Sequence, residues 1–214
     1  MATIIKIKIT QAKKAYCEVH LDDGRVISAH IETVYKHFLD KGKSIDEELI
    51  YELIVDFDYI KLREYATNVI SRRFYTEREI RNKLGERSEY NKNIELVIEK
   101  LREYNYIDDA LYAERYIKDA KRLKKYGDLK IRAMLSQKGV DDGIITRKLN
   151  ETKEDLEDIE FENLLKLCLK KSITLKETDK YKKRQKLYAY LARRGYDSYM
   201  IKRAIDNVEE QGEI

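Results

Sequence analysis

Lysine and arginine gather in two stretches of this chain, and their concentrated positive charge is its clearest chemical signal. Between residues 115 and 132 stand Arg115, Lys118, Lys121, Arg122, Lys124, Lys125, Lys130 and Arg132. Only Asp119 and Asp128 oppose them, which leaves a local net charge of +6. Between residues 163 and 203 thirteen basic side chains meet three acidic ones, a net of +10. That stretch includes Lys182, Lys183, Arg184, Lys186, Arg193 and Arg194. The whole chain carries only +4, and an acidic run from Glu151 to Glu162 separates the clusters. Cations gathered in this way attract phosphate backbones, with release of counterions, or an acidic protein surface. A lone run of this kind reads as the solvated face of a helix. Two clusters at matched places in a repeating chain bring the binding reading level with that one. Tyr126, Tyr181 and Tyr188 stand beside the clusters, where they could stack on bases or anchor an interface.

Other chemistries fail on their residues. Gly42-Lys43-Ser44 looks like the end of a phosphate loop, but that motif needs a glycine five positions before Gly42, where His37 stands. The helix expected next opens with Asp46, Glu47 and Glu48, which would repel a phosphate. His20, His30 and His37 are the only histidines, and none has metal-ligand spacing. No serine, cysteine or lysine sits in a recognisable nucleophile setting. The chain is therefore expected to have no catalytic site, cofactor or metal. Cys17 and Cys168 occupy apolar-patterned positions and read as buried, reduced thiols.

The elements that must position the cations are helices. The 214 residues include no proline and only eight glycines, so the main helix breakers are nearly absent. Three short apolar pairs, Ile80/Leu84, Ile131/Leu135 and Leu187/Leu191, are each followed four residues later by Ser88, Gly139 or Gly195. A longer apolar stripe at i, i+3, i+4, i+7 spacing lies on either side of each pair. The fold class is mainly α: a tandem array of three three-helix repeats with a period of about 50 residues. The repeats span 62–107, 108–150 and 151–214. Residues 1–61 form an N-terminal extension, in which alternation over 3–9 and 15–21 and the turn Asp22-Asp23-Gly24 predict a β-hairpin or meander. Helices over 31–40 and 46–58 are expected to cover it. Ser44 with Glu47 and Thr76 with Glu79 read as capping boxes, Asp128 as a cap, and Asp108-Asp109 as an N-cap with a first-turn carboxylate. Lys121, Arg122, Lys124 and Lys125 fall where the first helix of the middle repeat runs out. Lys182, Lys183, Arg184 and Lys186 fall just before the middle helix of the third, after a long inter-helix segment from Lys170 to Arg184. This placement predicts one continuous basic track. Adjacent repeats build an extended face, so the chain reads as a binding protein. No apolar run approaches the ~20 residues needed to span a bilayer, and the N-terminus is no signal segment. A cytoplasmic monomer is the expectation.

The run Tyr106-Ile107-Asp108-Asp109, followed by Tyr112-Ala113 and Tyr116-Ile117, resembles the most recognisable stretch of the RecX regulatory proteins. So does its continuation through Gly127, Ile131, Leu135 and Lys138-Gly139-Val140. Asn105 stands where that family often has glycine, and asparagine tolerates the left-handed backbone such a turn needs. The resemblance covers nearly the whole chain. It implies a non-enzymatic regulator that binds RecA filaments on single-stranded DNA and modulates, mainly inhibits, strand exchange, ATP hydrolysis and coprotease activity. Alternatives from the residues alone are a sequence-independent DNA-binding helical-repeat protein, which would hold single- or double-stranded DNA directly, or a scaffold that binds neither.

Overall fold

The computed structural model describes residues 1–10 and 15–211, the side chains of 153–158 excepted. The chain divides into two compact units, residues 1–75 with 80–107, and residues 76–79 with 108 onward.

In the first unit, β1 (Ala2–Ile9), β2 (Tyr16–Leu21) and β3 (Val26–His30) form the expected antiparallel meander. Gly24, at φ +88°, makes the turn between β2 and β3. A short fourth strand, β4 (Ser44–Ile45), joins the far side of β1 and gives the order β3-β2-β1-β4. Ser44 is therefore a strand residue and not a helix cap. Asp46 takes that role, its carboxylate accepting from the Leu49 amide at 2.9 Å. Helix α1 (Ile31–Lys36) ends sooner than expected, because Phe38 turns left-handed at φ +47°. The Lys43 ammonium donates to the exposed carbonyls of His37 and Phe38, at 2.6 and 3.2 Å. The lysine of the Gly-Lys-Ser sequence thus closes a helix terminus.

Helix α2 (Glu47–Ile70) replaces two expected elements, the cover of the sheet and the first helix of the first repeat. No glycine or proline interrupts it, so it runs through the 61/62 boundary drawn from the stripes. Its first half contributes Ile50 and Leu53 to the core beneath the sheet, with Ile4, Cys17, Val19, Leu21, Ile27 and Ala29. Its second half contributes Leu62 and Ala66 to a separate core. That core also holds Ile80 and Leu84 from α3 (Glu77–Gly85) and Ile94, Val97, Ile98 and Leu101 from α4 (Asn91–Glu103). Buried Asn93 ties α4 to the middle of α2 by donating to the Val55 carbonyl and the Asp58 carboxylate. Asn105 ends the unit's last turn at φ +54°, as its residue type allows.

The second unit carries two three-helix repeats. Helix α5 (Asp109–Asp119) is capped by Asp108, whose Oδ1 accepts from the Ala110 and Leu111 amides. A π turn (Ala120–Lys124) extends it. Then follow α6 (Asp128–Gln137), α7 (Asp142–Glu151), α8 (Lys153–Thr174), α9 (Lys180–Arg193) and α10 (Ser198–Glu210). Ala113, Ile117, Ile131, Leu135, Ile145 and Leu149 fill one core. Leu164, Cys168, Leu187, Leu191, Ile201 and Ile205 fill the other. Among the described residues of 62–210 there is no strand. The long connection expected from Lys170 to Arg184 shrinks to the few residues between α8 and α9, because both helices extend into it. Tyr104 and Tyr106 are exposed, whereas Tyr112 and Tyr116 are half-buried and stacked, with ring centroids 6.2 Å apart.

Both cysteines lie in cores, Cys17 in the first unit and Cys168 in the second, and both are reduced. Burial pushes the Cys168 thiol up to about 11 and raises that of Cys17. Only the thiolate attacks a disulfide reagent, and at pH 8 a thiol shifted that far is roughly one part in a thousand ionised. Titration of the native chain with a chromogenic disulfide should therefore find no fast-reacting thiol, and two after unfolding in urea. A fast native thiol would contradict the placement of these side chains.

Candidate anion-binding interface

The π turn after α5 forces a choice on its lysines. One extra residue in the turn rotates Lys121 inward, and its side chain is only 1% exposed. Its ammonium lies 2.5 Å from a Glu160 carboxylate oxygen and 2.8 Å from Asp128. Burial works against the lysine's charge, but the two carboxylates more than offset that and hold it above its ordinary value. Burial, with Asp128 nearby, raises the Glu160 carboxyl in turn. Asn163 donates to the Lys121 carbonyl at 3.1 Å. Lys121 is therefore part of the join between α8 and the π turn and cannot touch a partner. Asp128 is likewise not a cap. Gly127 holds the N-cap position of α6, and the Asp128 carboxylate faces Lys121.

The other cations sort by partner. Lys118 pairs with Glu114 at 2.6 Å, Arg132 with Asp142 at 2.6 Å and Lys186 with Glu177 at 2.7 Å. Arg184 pairs with Asp206 at 2.7 Å and also with Glu209. Lys182, Lys183, Arg184 and Lys186 lie in the first half of α9, not before it. By helical rise they stand about 16 Å or less along the axis from Arg193. Arg115 is exposed on α5.

A second group converges where two backbones meet. The Gly127 amide donates to the Arg194 carbonyl at 2.9 Å, and the Leu129 amide to the Gly195 carbonyl at 3.0 Å. A Cβ on Gly127 would come within 3 Å of the Gly195 carbonyl. One on Gly195, at φ +89°, would come within 3 Å of the Lys130 backbone. This approach carries Lys124, Lys125, Lys130, Arg193 and Arg194 into one cluster. Arg194 donates to the Lys124 carbonyl at 3.0 Å, and the buried Tyr196 hydroxyl donates to the Lys125 carbonyl at 3.2 Å. The Lys130 ammonium lies 3.5 Å from the Arg193 carbonyl and 4.3 Å over the Tyr126 ring. Arg194 lies between Tyr126 and Tyr190, at 5.8 and 5.6 Å from their centroids. Arg122, Lys124 and Arg193 are exposed and Lys125 is half-exposed, and none of their side chains pairs with a carboxylate among the described residues. Exposed Leu123 (78%) and Leu129 (58%) flank them. Positive charge beside half-open aromatic rings suits a phosphate–base ligand or an acidic protein surface. Of the tyrosines singled out in sequence, Tyr126 belongs to this cluster. Tyr188 is bonded to Ser198 at 2.6 Å, and Tyr181 lies exposed on α9. Tyr190 and Tyr196 were not among the expected residues. The glycines flanking α6 and α9 were the available signal.

Within the same unit the joint recurs. Gly139, at φ +86°, receives the Arg78 side chain, and Thr76 Oγ donates to the Lys138 carbonyl at 2.7 Å. Thr76 and Glu79 form the expected capping box, each amide donating to the other's side chain at 3.2 Å. Lys138 closes the joint on Glu79 at 2.7 Å.

Repeated joints, a split basic surface and separate cores define a tandem three-helix-repeat protein. Among the described residues no group of three or more His, Cys, Asp or Glu is placed to hold a metal, and no helix is long and apolar enough to cross a membrane. The family model for the second three-helix domain of RecX matches residues 108–149, and that for the third matches residues 157–205. A regulatory protein RecX of Clostridium acetobutylicum is 40% identical, over 91% of this chain and 90% of its own length. One from Clostridium perfringens strain 13 is 37% identical over 92% of both. A crystal structure of regulatory protein RecX superposes with a TM-score of 0.75 at 25% identity, over 96% of this chain and all of that one. The chain belongs to the RecX family of regulatory proteins.

Three variants test the joints. Lys121→Ala leaves Glu160 buried beside Asp128 without a cation and should cost about 3–5 kcal/mol in urea unfolding. Lys121→Met with Glu160→Leu should recover most of that loss, since it removes the buried charge at Glu160 and leaves only Asp128, whose side chain is 39% exposed and open to water. Gly195→Ala should cost more than about 2 kcal/mol, from the left-handed backbone and the clash together. A silent Gly195→Ala would mean the two backbones do not approach this closely.

Proposed function

We propose that this chain binds RecA filaments assembled on single-stranded DNA and modulates, mainly inhibits, their recombinase, ATPase and coprotease activities, acting as a binding protein and not as an enzyme. Membership of a family of regulatory proteins carries the reading. The cluster of Lys124, Lys125, Lys130 and Arg193 around Tyr126 supports it, because it supplies charge and stacking surface to a nucleoprotein ligand. A binding protein inhibits by differential affinity for one state of its target. A chain that favours one filament geometry, obstructs the second DNA or blocks a filament end would meet that condition. Arg122 and Arg115 extend the contact along the π turn and α5. Lys182 and Lys183 add a separate basic face, while Lys118, Arg132, Arg184, Lys186 and Arg194 serve mainly to hold the surface in shape.

The test is RecA ATPase on single-stranded DNA over a salt series. The parent chain should inhibit it. Lys124→Glu with Lys125→Glu should weaken inhibition at least tenfold in concentration, an effect of about 1.4 kcal/mol or more, and leave the melting temperature nearly unchanged, because Lys124 is exposed, Lys125 half-exposed, and neither side chain pairs with a carboxylate among the described residues. The salt dependence of binding should flatten by about 0.7 for each phosphate no longer neutralised. Equal inhibition by the double variant at every salt concentration would dismiss this cluster as the binding surface. Tight binding of bare DNA, with no preference for the filament, would favour the DNA-binding alternative.

A further inference from the structure

Among the described residues, the first unit carries an open strand edge. Strand β1 runs to Ile9, yet β4 pairs only with Ala2 and Thr3, and Ile4 completes the ladder by exchanging bonds with Gly42 and Lys43 at 2.7 and 2.9 Å. A bulge at Ile5 then shifts the register, so that Lys6 faces His20, Ile7 faces Val19, Lys8 faces Glu18 and Ile9 faces Cys17. The Thr10 amide donates to the Tyr16 carbonyl at 2.8 Å, which makes that pair hydrogen-bonded toward β2. Antiparallel pairing alternates. The amides and carbonyls of Lys6 and Lys8 therefore point to β2, and those of Ile7 and Ile9 point to the side that β4 has left. Ile5 and Ile9 are half-exposed, at 50% and 52%. At about 3.3 Å per residue the open edge is roughly 13 Å long, room for a short added strand.

Charge decides what can be added. Two copies of this edge pairing antiparallel through Ile7 with Ile7 would set Lys6 opposite Lys8, and pairing Ile7 with Ile9 would set Lys8 opposite Lys8. Like charges directly opposite disfavour both registers. The same two lysines favour a strand with carboxylates at alternate positions, and Ile7 and Ile9 favour small branched apolar residues between them.

We propose that the Lys6–Ile9 edge of β1 is a docking site for an extended segment of another protein that alternates acidic and branched apolar residues, bound by strand addition. It lies in the N-terminal unit and is independent of the cation cluster proposed above.

The probe is a short, end-blocked, fluorescently tagged peptide alternating valine and glutamate, read by anisotropy and by amide shifts of the full chain. It should bind and shift the Ile7 and Ile9 amides, while a valine–lysine peptide should not. Lys6→Glu with Lys8→Glu should reverse that preference, moving each affinity by about tenfold. N-methylating the valines of the probe, which removes its donors without touching the protein, should abolish binding. Ile7→Pro should do the same from the protein side, since an outward-facing edge amide is dispensable to the fold. The proposal is overturned if the valine–glutamate peptide fails to shift these amides, binds the charge-reversed chain equally well, or binds after N-methylation. It is also overturned if the native chain proves to be a dimer paired through this edge.

Discussion

Close backbone contact at left-handed glycines is the constraint on which the repeat region rests. A three-helix repeat with stripes this short buries little on its own and needs its neighbour. In the second unit the neighbour is reached through close approach of main chain, with side chains such as Arg78, Thr76 and Arg194 closing around it. Gly195 lies against the first turn of α6, and Gly139 against Thr76–Glu79. Each glycine follows the middle helix of its repeat at positive φ, where a side chain would be strained and would also collide. Hydrogen bonds then cross the joint, from Gly127 and Leu129 to the 194–195 carbonyls and from Thr76 to Lys138. Within the second unit, the spacing of its two repeats follows from that fit.

The joint also determines the surface. A lysine in the π turn lands inside and is neutralised by Glu160 and Asp128, while its neighbours Arg122 and Lys124 stay outside. A buried ion pair is poor evidence of added stability, but breaking one is costly. Lys121 is therefore better understood as holding α8 and the π turn in one arrangement, which in turn sets where the exposed cations sit. The left-handed backbone at Lys125, φ +52°, ends the turn and points the chain toward Gly127.

In the first unit one helix serves two cores. Helix α2 offers Ile50 and Leu53 to the sheet and Leu62 and Ala66 to the first repeat, without a break between them. A sheet this small gains its stability from such cover. Among the described residues, the brevity of β4 leaves the far end of β1 without a partner strand on one side, where self-pairing through Ile7 with Ile7 or Ile9 would set lysines opposite one another.

Helix content, the number of repeats, the meander and its glycine turn, and the Thr76–Glu79 and Asp108 caps were legible in the sequence. Each depends on spacing within a few residues: a stripe, an alternation, a capping residue. The end of α1 and the continuity of α2 were not, because a left-handed Phe38 and an unbroken helix between two cores leave no local punctuation. The cations show the division most clearly. Sequence located the charge, and in Lys121, Arg184 and Lys124 it saw equivalent lysines and arginines. Only the fold sent the first to a buried triad, the second to Asp206 and the third to solvent. The identity of a side chain sets what it can bind, but its partners come from residues tens of positions away, so long-range packing decides which charges remain for another molecule.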